Sequence, residues 1–213
     1  MNALLLEQVS LRINGSALFP PLSLRVEPGT VTSVIGPSGS GKSSLLHFMC
    51  GVLPPDIKAQ GILRIGEEDL TALPPQSRRL GLLFQDPLLF PHLDVAGNLL
   101  FGMRKTSTRR QRQQDAAAAL ASVGLEGMDT RDPATLSGGQ QARVALLRVL
   151  LSEPRALLLD EPFRSLDADN RQRVRQLVFS EARRRNLPTV LVTHDRDDVA
   201  AAGGPVIELK ADA

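Results

Sequence analysis

Apolar positions in this chain cluster into short runs that end at glycine, proline or polar groups, and the runs fall into two kinds. In the first third, Leu4–Ile13 and Leu22–Val26 are predicted as strands, broken by Asn14-Gly15 and Pro20-Pro21, and Glu27-Pro28-Gly29 reads as a turn. Thr30–Ile35 reads as a buried strand, rich in β-formers, and Leu80–Phe84, Ala156–Leu159 and Thr189–Thr193 are short apolar runs. That pattern predicts strands covered on both faces, as in a parallel sheet. Gly61–Ile65 and Pro205–Leu209 are further short strands, Gly36–Gly41 a loop and Lys42–Cys50 a helix.

The middle of the chain, roughly 86–136, lacks such runs. Gln111–Val123 is rich in Ala and Gln and strongly helical in propensity, and Ser137–Leu151 predicts a long helix. The expected fold is α/β: a mixed to parallel sheet core with an N-terminal antiparallel β part and an inserted α-helical subdomain. A single domain would span 1–213, with 1–85 and 152–213 as core and 86–151 as the subdomain. No internal repeat is evident, so one chain supplies one such unit.

Composition narrows the class. The 213 residues suffice for one sizeable domain, and 42% hydrophobic with 23% charged residues is ordinary for a soluble globular protein. No apolar run approaches the roughly 20 residues that span a bilayer. The N-terminus, Met1–Glu7, has no basic residue before its short apolar stretch and does not read as a signal peptide. The expectation is a cytoplasmic protein that acts at a membrane only through a partner. A net charge of +2 is too small to argue for nucleic acid. The basic stretches Arg104-Lys105 with Arg109-Arg110-Arg112, and Arg183-Arg184-Arg185, read as solvated helix faces. With no Trp and no Tyr, an aromatic platform for nucleic-acid bases is not expected. Cys50, the sole cysteine, reads as a small core residue.

The segment Gly36-Pro37-Ser38-Gly39-Ser40-Gly41-Lys42-Ser43, followed by Ser44, matches G-x-x-x-x-G-K-[ST] between a predicted strand and a predicted helix. Its glycines let backbone N–H groups close around phosphate, and the helix start adds its positive end. Lys42 is placed to reach the β- and γ-phosphates, and the Ser43 hydroxyl to ligate Mg²⁺. The motif alone leaves kinases, GTPases and transport ATPases open.

Leu136-Ser137-Gly138-Gly139-Gln140 lies at a predicted helix start. It is either an ordinary Ser N-cap or an anion-binding turn. Ala156–Leu159 leads into Asp160-Glu161. That pair is either a helix cap with a dipole-compensating acid, or Asp160 holding Mg²⁺ with Glu161 as general base toward water.

Taken in order, the phosphate loop, Gln85, Leu136–Gln140, Asp160-Glu161, Ser165-Leu166-Asp167 and His194 resemble the motif series of ABC (ATP-binding cassette) transporter ATPases, from about residue 4 to 207. The resemblance implies the ABC ATPase fold, with ATP and Mg²⁺ as ligands. It implies that Gln85 joins Mg²⁺ and a transmembrane partner. Asp167 would belong to a loop linking two sites across a dimer, and His194 would contact the γ-phosphate. Lys42, Glu161 and His194 are then the catalytic set. Gly36–Ser44, Gln85, Ser137, Gly138, Gly139, Gln140 and Asp167 are nucleotide-binding, and Ser43, Gln85 and Asp160 surround the metal. It also implies a homodimer holding two ATP molecules, each phosphate loop facing the Ser137–Gln140 segment of the other copy. His47 and His92 have no such support and read as a helix-packing and a loop residue.

Leu83–Val95 with Asn98-Leu99, Asp160-Glu161-Pro162-Phe163, Asp132–Gln140 and Ala142–Arg148 are similar to importer-type members, short bacterial subunits of the YnjD type and thiamine-type import ATPases among them. That implies permease subunits receiving a helix near Gln85, a substrate-binding protein, and a peripheral place on the inner membrane face. Three features depart from the pattern. The aromatic residue that stacks on adenine should fall near Ile13 and is absent, leaving Phe19 as a substitute or apolar contact alone. Arg164 stands where a small residue is common. The chain ends soon after Pro205–Leu209, so feedback through a regulatory domain is not expected. A non-transport ABC ATPase and a nucleotide-binding subunit with little turnover are the alternatives.

Overall fold

The computed structural model describes residues 2–104 and 108–210. Met1 and Lys105, which the sequence reading used, lie outside them. The chain opens with β1 (Leu4–Ile13), β2 (Ser16–Ala17), β3 (Leu22–Val26) and β4 (Val31–Ile35), then α1 (Lys42–Cys50), β5 (Ile57–Ile65), β6 (Glu68–Asp69), α2 (Pro75–Arg78) and β7 (Leu80–Leu83). The helices α3 (Val95–Gly102), α4 (Arg109–Ser122) and α5 (Gly138–Leu151) follow, with a 3₁₀ turn at Pro133–Thr135. It closes with β8 (Ala156–Asp160), α6 (Ala168–Arg184), β9 (Thr189–Val192), α7 (Arg196–Ala202) and β10 (Val206–Glu208).

Two compact units result. The first is Met1–Leu82, Arg155–Glu161 and Phe179–Ala213; the second is Leu83–Pro154 and Pro162–Val178. Residues 162–178, assigned to the core from sequence, cluster with the helices instead.

In the first unit, β1 pairs antiparallel with β2, β3 and β5, and β6 extends β5. The second sheet runs β10-β4-β9-β8-β7, with β10, β4, β9 and β8 parallel to their neighbours. All of β9 is buried, and β4 and β8 are buried except for their last residues. That is why these strands show no apolar/polar alternation, with Thr32, Ser33 and Thr189 buried beside their apolar neighbours. Register places Val34 opposite Val192 and Val192 opposite Asp160. The chain therefore leaves β4, β8 and β9 at one edge of the sheet, the carboxyl ends where open α/β sheets take ligands. Leu4, Leu6, Leu11, Leu45, Met49 and Leu158 belong to the core that joins α1 to both sheets.

The C-terminus of α1 is closed by a buried arginine. Arg78 donates from Nη1 to the carbonyls of Phe48 (2.7 Å) and Met49 (2.9 Å), from Nη2 to Thr71 (2.8 Å) and from Nε to Leu73 (2.8 Å). A guanidinium at this end satisfies orphan carbonyls and complements the helix dipole. Beside it, burial pushes the Cys50 thiol up to about 11, against the lowering pull of Arg78. The side chain packs against the core as the sequence suggested.

In the second unit, Val95 and Leu99 of α3, Ala116 and Leu120 of α4, and Val144 and Leu147 of α5 form the core. Thr108 caps α4, accepting from Gln111 N at 3.2 Å. Arg109 and Arg110 are exposed and Arg112 half-buried. On α6, Arg184 and Arg185 pair with Glu181 at 2.6 and 3.0 Å. Arg183 donates to the Ala202 carbonyl at the end of α7 (2.7 Å). Arg104, outside the helices, pairs with Glu153 at 3.5 Å.

Replacing Arg78 with Ala leaves four carbonyls without their charged donor. The expected loss is about 3 kcal/mol of unfolding free energy. A lower urea midpoint at unchanged m-value would report it.

Candidate nucleotide-binding site

The phosphate loop lies between β4 and α1. Gly41 stands at the N-cap of α1 with φ 84°, and no side chain caps the helix. Its first N–H groups are thus left to a ligand. A Cβ at Gly41 would meet the Phe19 ring at 2.9 Å, so a larger residue fails on space as well as on φ. Lys42 is buried, and Nζ donates to the carbonyls of Gly36 (2.9 Å) and Pro37 (2.7 Å). An ammonium has three donors, so one remains. Ser38 and Gly39 are exposed, and Ser44 is half-buried. The Ser40 hydroxyl is buried without a hydrogen-bond partner among the described residues.

The ends of β8 and β9 bring the acids and a histidine to the same unit. Ser43 Oγ donates to Asp160 Oδ1 at 3.2 Å. Burial pushes the Asp160 carboxyl above its ordinary range, and the Ser43 hydrogen bond, His47 and Lys42 oppose this only in part. Glu161 holds a left-handed φ of 44°, costly for a residue with a side chain. Its N–H donates to the Val192 carbonyl (2.9 Å), and Oε1 lies 3.0 Å from His194 Nδ1. The turn bearing His194 is pinned from below. Thr193, buried, donates to Asp198 Oδ2 (2.9 Å) and accepts from Asp195 N (3.0 Å).

The remaining sequence-derived positions belong to the second unit. Ser137 caps α5 by a capping box: Oγ accepts from Gln140 N (3.3 Å), and Gln140 Oε1 accepts from Ser137 N (2.9 Å). Ser137 and Gly138 are exposed, whereas Gly139 is buried. Asp167 accepts from Asn170 at the start of α6, which holds its carboxyl below the usual range. Gln85 is half-buried just past β7, and its carbonyl accepts from Ser165 Oγ (3.1 Å).

A family model described as ABC transporter matches residues 19–164, which take in the phosphate loop, Ser137–Gln140 and Asp160-Glu161. The chain belongs to the ABC transporter family. It is 46% identical to an uncharacterized ABC transporter ATP-binding protein, YnjD, of Escherichia coli strain K12, over 93% of this chain and 91% of that protein. It is 43% identical to the Fe(3+) ions import ATP-binding protein FbpC 1 of Rhizobium meliloti strain 1021, over 90% of this chain and 54% of that protein. A third relative, the Fe(3+) ions import ATP-binding protein FbpC of Agrobacterium fabrum, is 40% identical over 96% of this chain and 57% of that protein. The chain therefore spans just over half the length of these two iron-import proteins, and nearly all of YnjD.

As an ABC protein, this chain binds and hydrolyses ATP. One expectation about its base contact fails. Phe19 is fully buried beneath Gly41 and presents no face for adenine to stack on. His47 is half-buried on α1, and His92 is exposed in a loop 5.8 Å from the Phe90 ring. Arg164 is exposed, and nothing in the structure explains its departure from a small residue. Sequence reasoning missed Asp198 as the anchor under the His194 turn. Asp198 is only 3% exposed, and nothing in its local pattern separates it from the surface acids Asp195 and Asp197.

The donors near α1 fit Mg²⁺. Ser43 Oγ and Asp160 Oδ1 are hard oxygens already 3.2 Å apart, and Asp160 carries charge that the surrounding protein only partly compensates. Among the described residues no group of three or more His, Cys, Asp or Glu forms a cage. Mg²⁺ commonly takes one or two protein ligands and completes its shell with phosphate and water.

An acid whose pKa is raised on folding favours the folded state below its unfolded pKa and loses that advantage as pH rises through the folded value. At neutral pH a charged Asp160 thus weakens the nucleotide-free chain. Asp160→Asn is expected to raise its melting temperature at pH 7.5 by a few degrees, about 2–4 °C per kcal/mol for a chain of this size. The gain should vanish near pH 4, where thermal melts of both proteins should coincide.

Proposed function

We propose that this chain powers import across a membrane: an ATPase subunit that closes on a second copy around two ATP molecules and drives separate permease subunits. The observation that carries this is the meeting of Gly36–Ser44, Asp160, Glu161 and His194 at one sheet edge, beside an uncapped helix start. The import direction rests on the relatives named for Fe(3+) import, and the transported solute is left open. A substrate-binding protein outside and a peripheral place on the inner membrane face complete the reading. Among the described residues no helix is long and apolar enough to cross a membrane; in this reading the permease subunits supply the membrane path.

The chemistry follows from the residues. The open N–H groups of the phosphate loop and Lys42 Nζ bind the triphosphate. Ser43 and Asp160 would hold Mg²⁺. The bound ion would neutralise charge on the phosphate oxygens. Glu161 accepts a proton from the attacking water as general base. His194 is shared between two acceptors. The Glu161 carboxylate takes N–H at Nδ1, and a γ-phosphate oxygen would need N–H at Nε2. A neutral imidazole has one N–H, so phosphate binding either releases Glu161 to face water or puts a second proton on the ring.

Ser137 fits the opposite role. Its Oγ accepts from Gln140 N, which leaves the hydroxyl hydrogen free to donate to a phosphate held by the second copy. Gly138, Gly139 and Gln140 stand beside it in the same turn, and Asp167 completes the surface offered to that copy.

Glu161→Gln is expected to retain ATP and trap the dimer, while steady-state ATP hydrolysis falls on the order of 10²–10⁴-fold. Gel filtration with Mg-ATP and a phosphate-release assay check both halves. A Glu161→Gln chain that stays monomeric in saturating Mg-ATP beside its permease sinks the dimer reading. Wild-type turnover no higher than that of Lys42→Ala in the same membrane complex sinks the transport-ATPase reading.

Adenine has no stacking partner at Ile13 or Phe19. Stacking elsewhere is worth about 1–3 kcal/mol per base. GTP is therefore expected to compete for the site within about tenfold of ATP in an equilibrium displacement titration.

A further inference from the structure

Asn170 touches two segments that the sandwich reading sends to the second copy. Its backbone N–H donates to Asp167 Oδ1 (3.0 Å) and its Nδ2 to Asp167 Oδ2 (2.7 Å), so both carboxylate oxygens are held by one residue. A carboxylate only accepts, which fixes the amide nitrogen toward Asp167 and turns Oδ1 the other way. There it meets Gly139. A Cβ on Gly139 would stand 2.5 Å from Asn170 Oδ1 and 2.6 Å from Cγ. A side chain at 139 would displace this half-buried amide, although the Gly139 backbone itself is ordinary helix. Asn170 thus spans the distance between the first turn of α5 and the start of α6, all within the second compact unit.

We propose that Asn170 is a positioning residue that locks Asp167 in register with Ser137–Gly139, so that both reach the second copy as one rigid surface. The proposal rests on the ATP-sandwich dimer put forward above. A free loop would have to be ordered separately at each closure, at a cost in conformational entropy; the amide has already removed that freedom. Asn170 touches neither nucleotide nor metal in this reading. Its effect passes through Asp167 and Gly139.

The test compares Glu161→Gln with Glu161→Gln/Asn170→Ala and Glu161→Gln/Asn170→Leu as full-length chains. Leu keeps the volume and removes the donor. Dimerisation in saturating Mg-ATP is measured by analytical ultracentrifugation, binding of ATP to the dilute monomer by titration, and melting of the nucleotide-free chain by circular dichroism. Both substitutions should weaken the dimer about tenfold or more, the size of one charge-assisted hydrogen bond. Monomer ATP affinity and melting temperature should stay at the parent values. If the parent dimerises and both variants match it, the positioning role is wrong while the dimer stands. If dimer loss comes only with an equal fall in melting temperature for both variants, Asn170 is merely structural and the proposal is again wrong. If Glu161→Gln itself never dimerises, the sandwich and this proposal fall together.

Discussion

Asp160 ends an apolar strand, and its burial is the constraint around which the nucleotide site is organised. Four preceding residues of β8 have no polar side chain, and register sets the acid opposite Val192 of β9. The chain itself offers this carboxylate one serine hydroxyl and the more distant fields of His47 and Lys42. Charge left under-compensated inside a fold costs stability unless something neutralises it. In the proposed reading a divalent cation carried in with a triphosphate would do so, and the cost borne by the empty protein would be returned on binding, in keeping with perturbed acids gathering at functional sites.

The starts of α1 and α5 are treated in opposite ways. α1 begins at a glycine with no side-chain cap, and its nearest ammonium is parked on the loop's own carbonyls. α5 begins with a full capping box, and at the start of α6 Asn170 donates twice to Asp167. An uncapped start is an incomplete site that awaits an anion. Capped starts are stable alone, and they can meet a ligand only with what capping leaves over, such as the Ser137 hydroxyl hydrogen. The same division recurs in their partners. In the proposed dimer the phosphate-loop unit would hold ATP by itself, whereas the capped segments would have weak claims on phosphate until a second site presented one. That asymmetry would let nucleotide binding precede and control dimer closure.

Much of this was legible in the sequence because burial on both faces leaves an unambiguous trace. β4, β8 and β9 stood out as short β-forming runs without alternation, and each is followed by a candidate site segment. α1 and α5 were equally plain, one behind a glycine loop and the other behind Ser137. α3, α6 and α7 were missed for different reasons. α3 is short and nearly all apolar, so its N-cap Asp94 was hidden in a loop-like stretch. α6 is so rich in charge that its narrow apolar stripe, Val174, Val178 and Ala182, did not stand out. Long-range polar anchors were not legible at all. Arg78 and Asp198 look like surface residues until the fold buries them, and Phe19 looked available to adenine until Gly41 was seated on it. Such facts depend on which distant backbone passes overhead, which no local pattern records.

Glu161 shows how the fold holds a strained group where chemistry needs it. A left-handed φ on a residue with a side chain costs on the order of 1 kcal/mol or more. Such a conformation survives only when its surroundings over-determine it. Here β8 fixes the chain before it, the N–H is tied to Val192 O, and the carboxylate is tied to the His194 ring. The ring is in turn set by the Thr193–Asp198 bond under its turn. The backbone tie involves no ring, whereas in the proposed reading the tie to His194 would compete with phosphate for the ring's protons. Phosphate arrival would then loosen the side chain of Glu161 without releasing its backbone. A general base must be held near its target yet be free to take a proton, and a rigid backbone with a conditionally tethered carboxylate meets both demands.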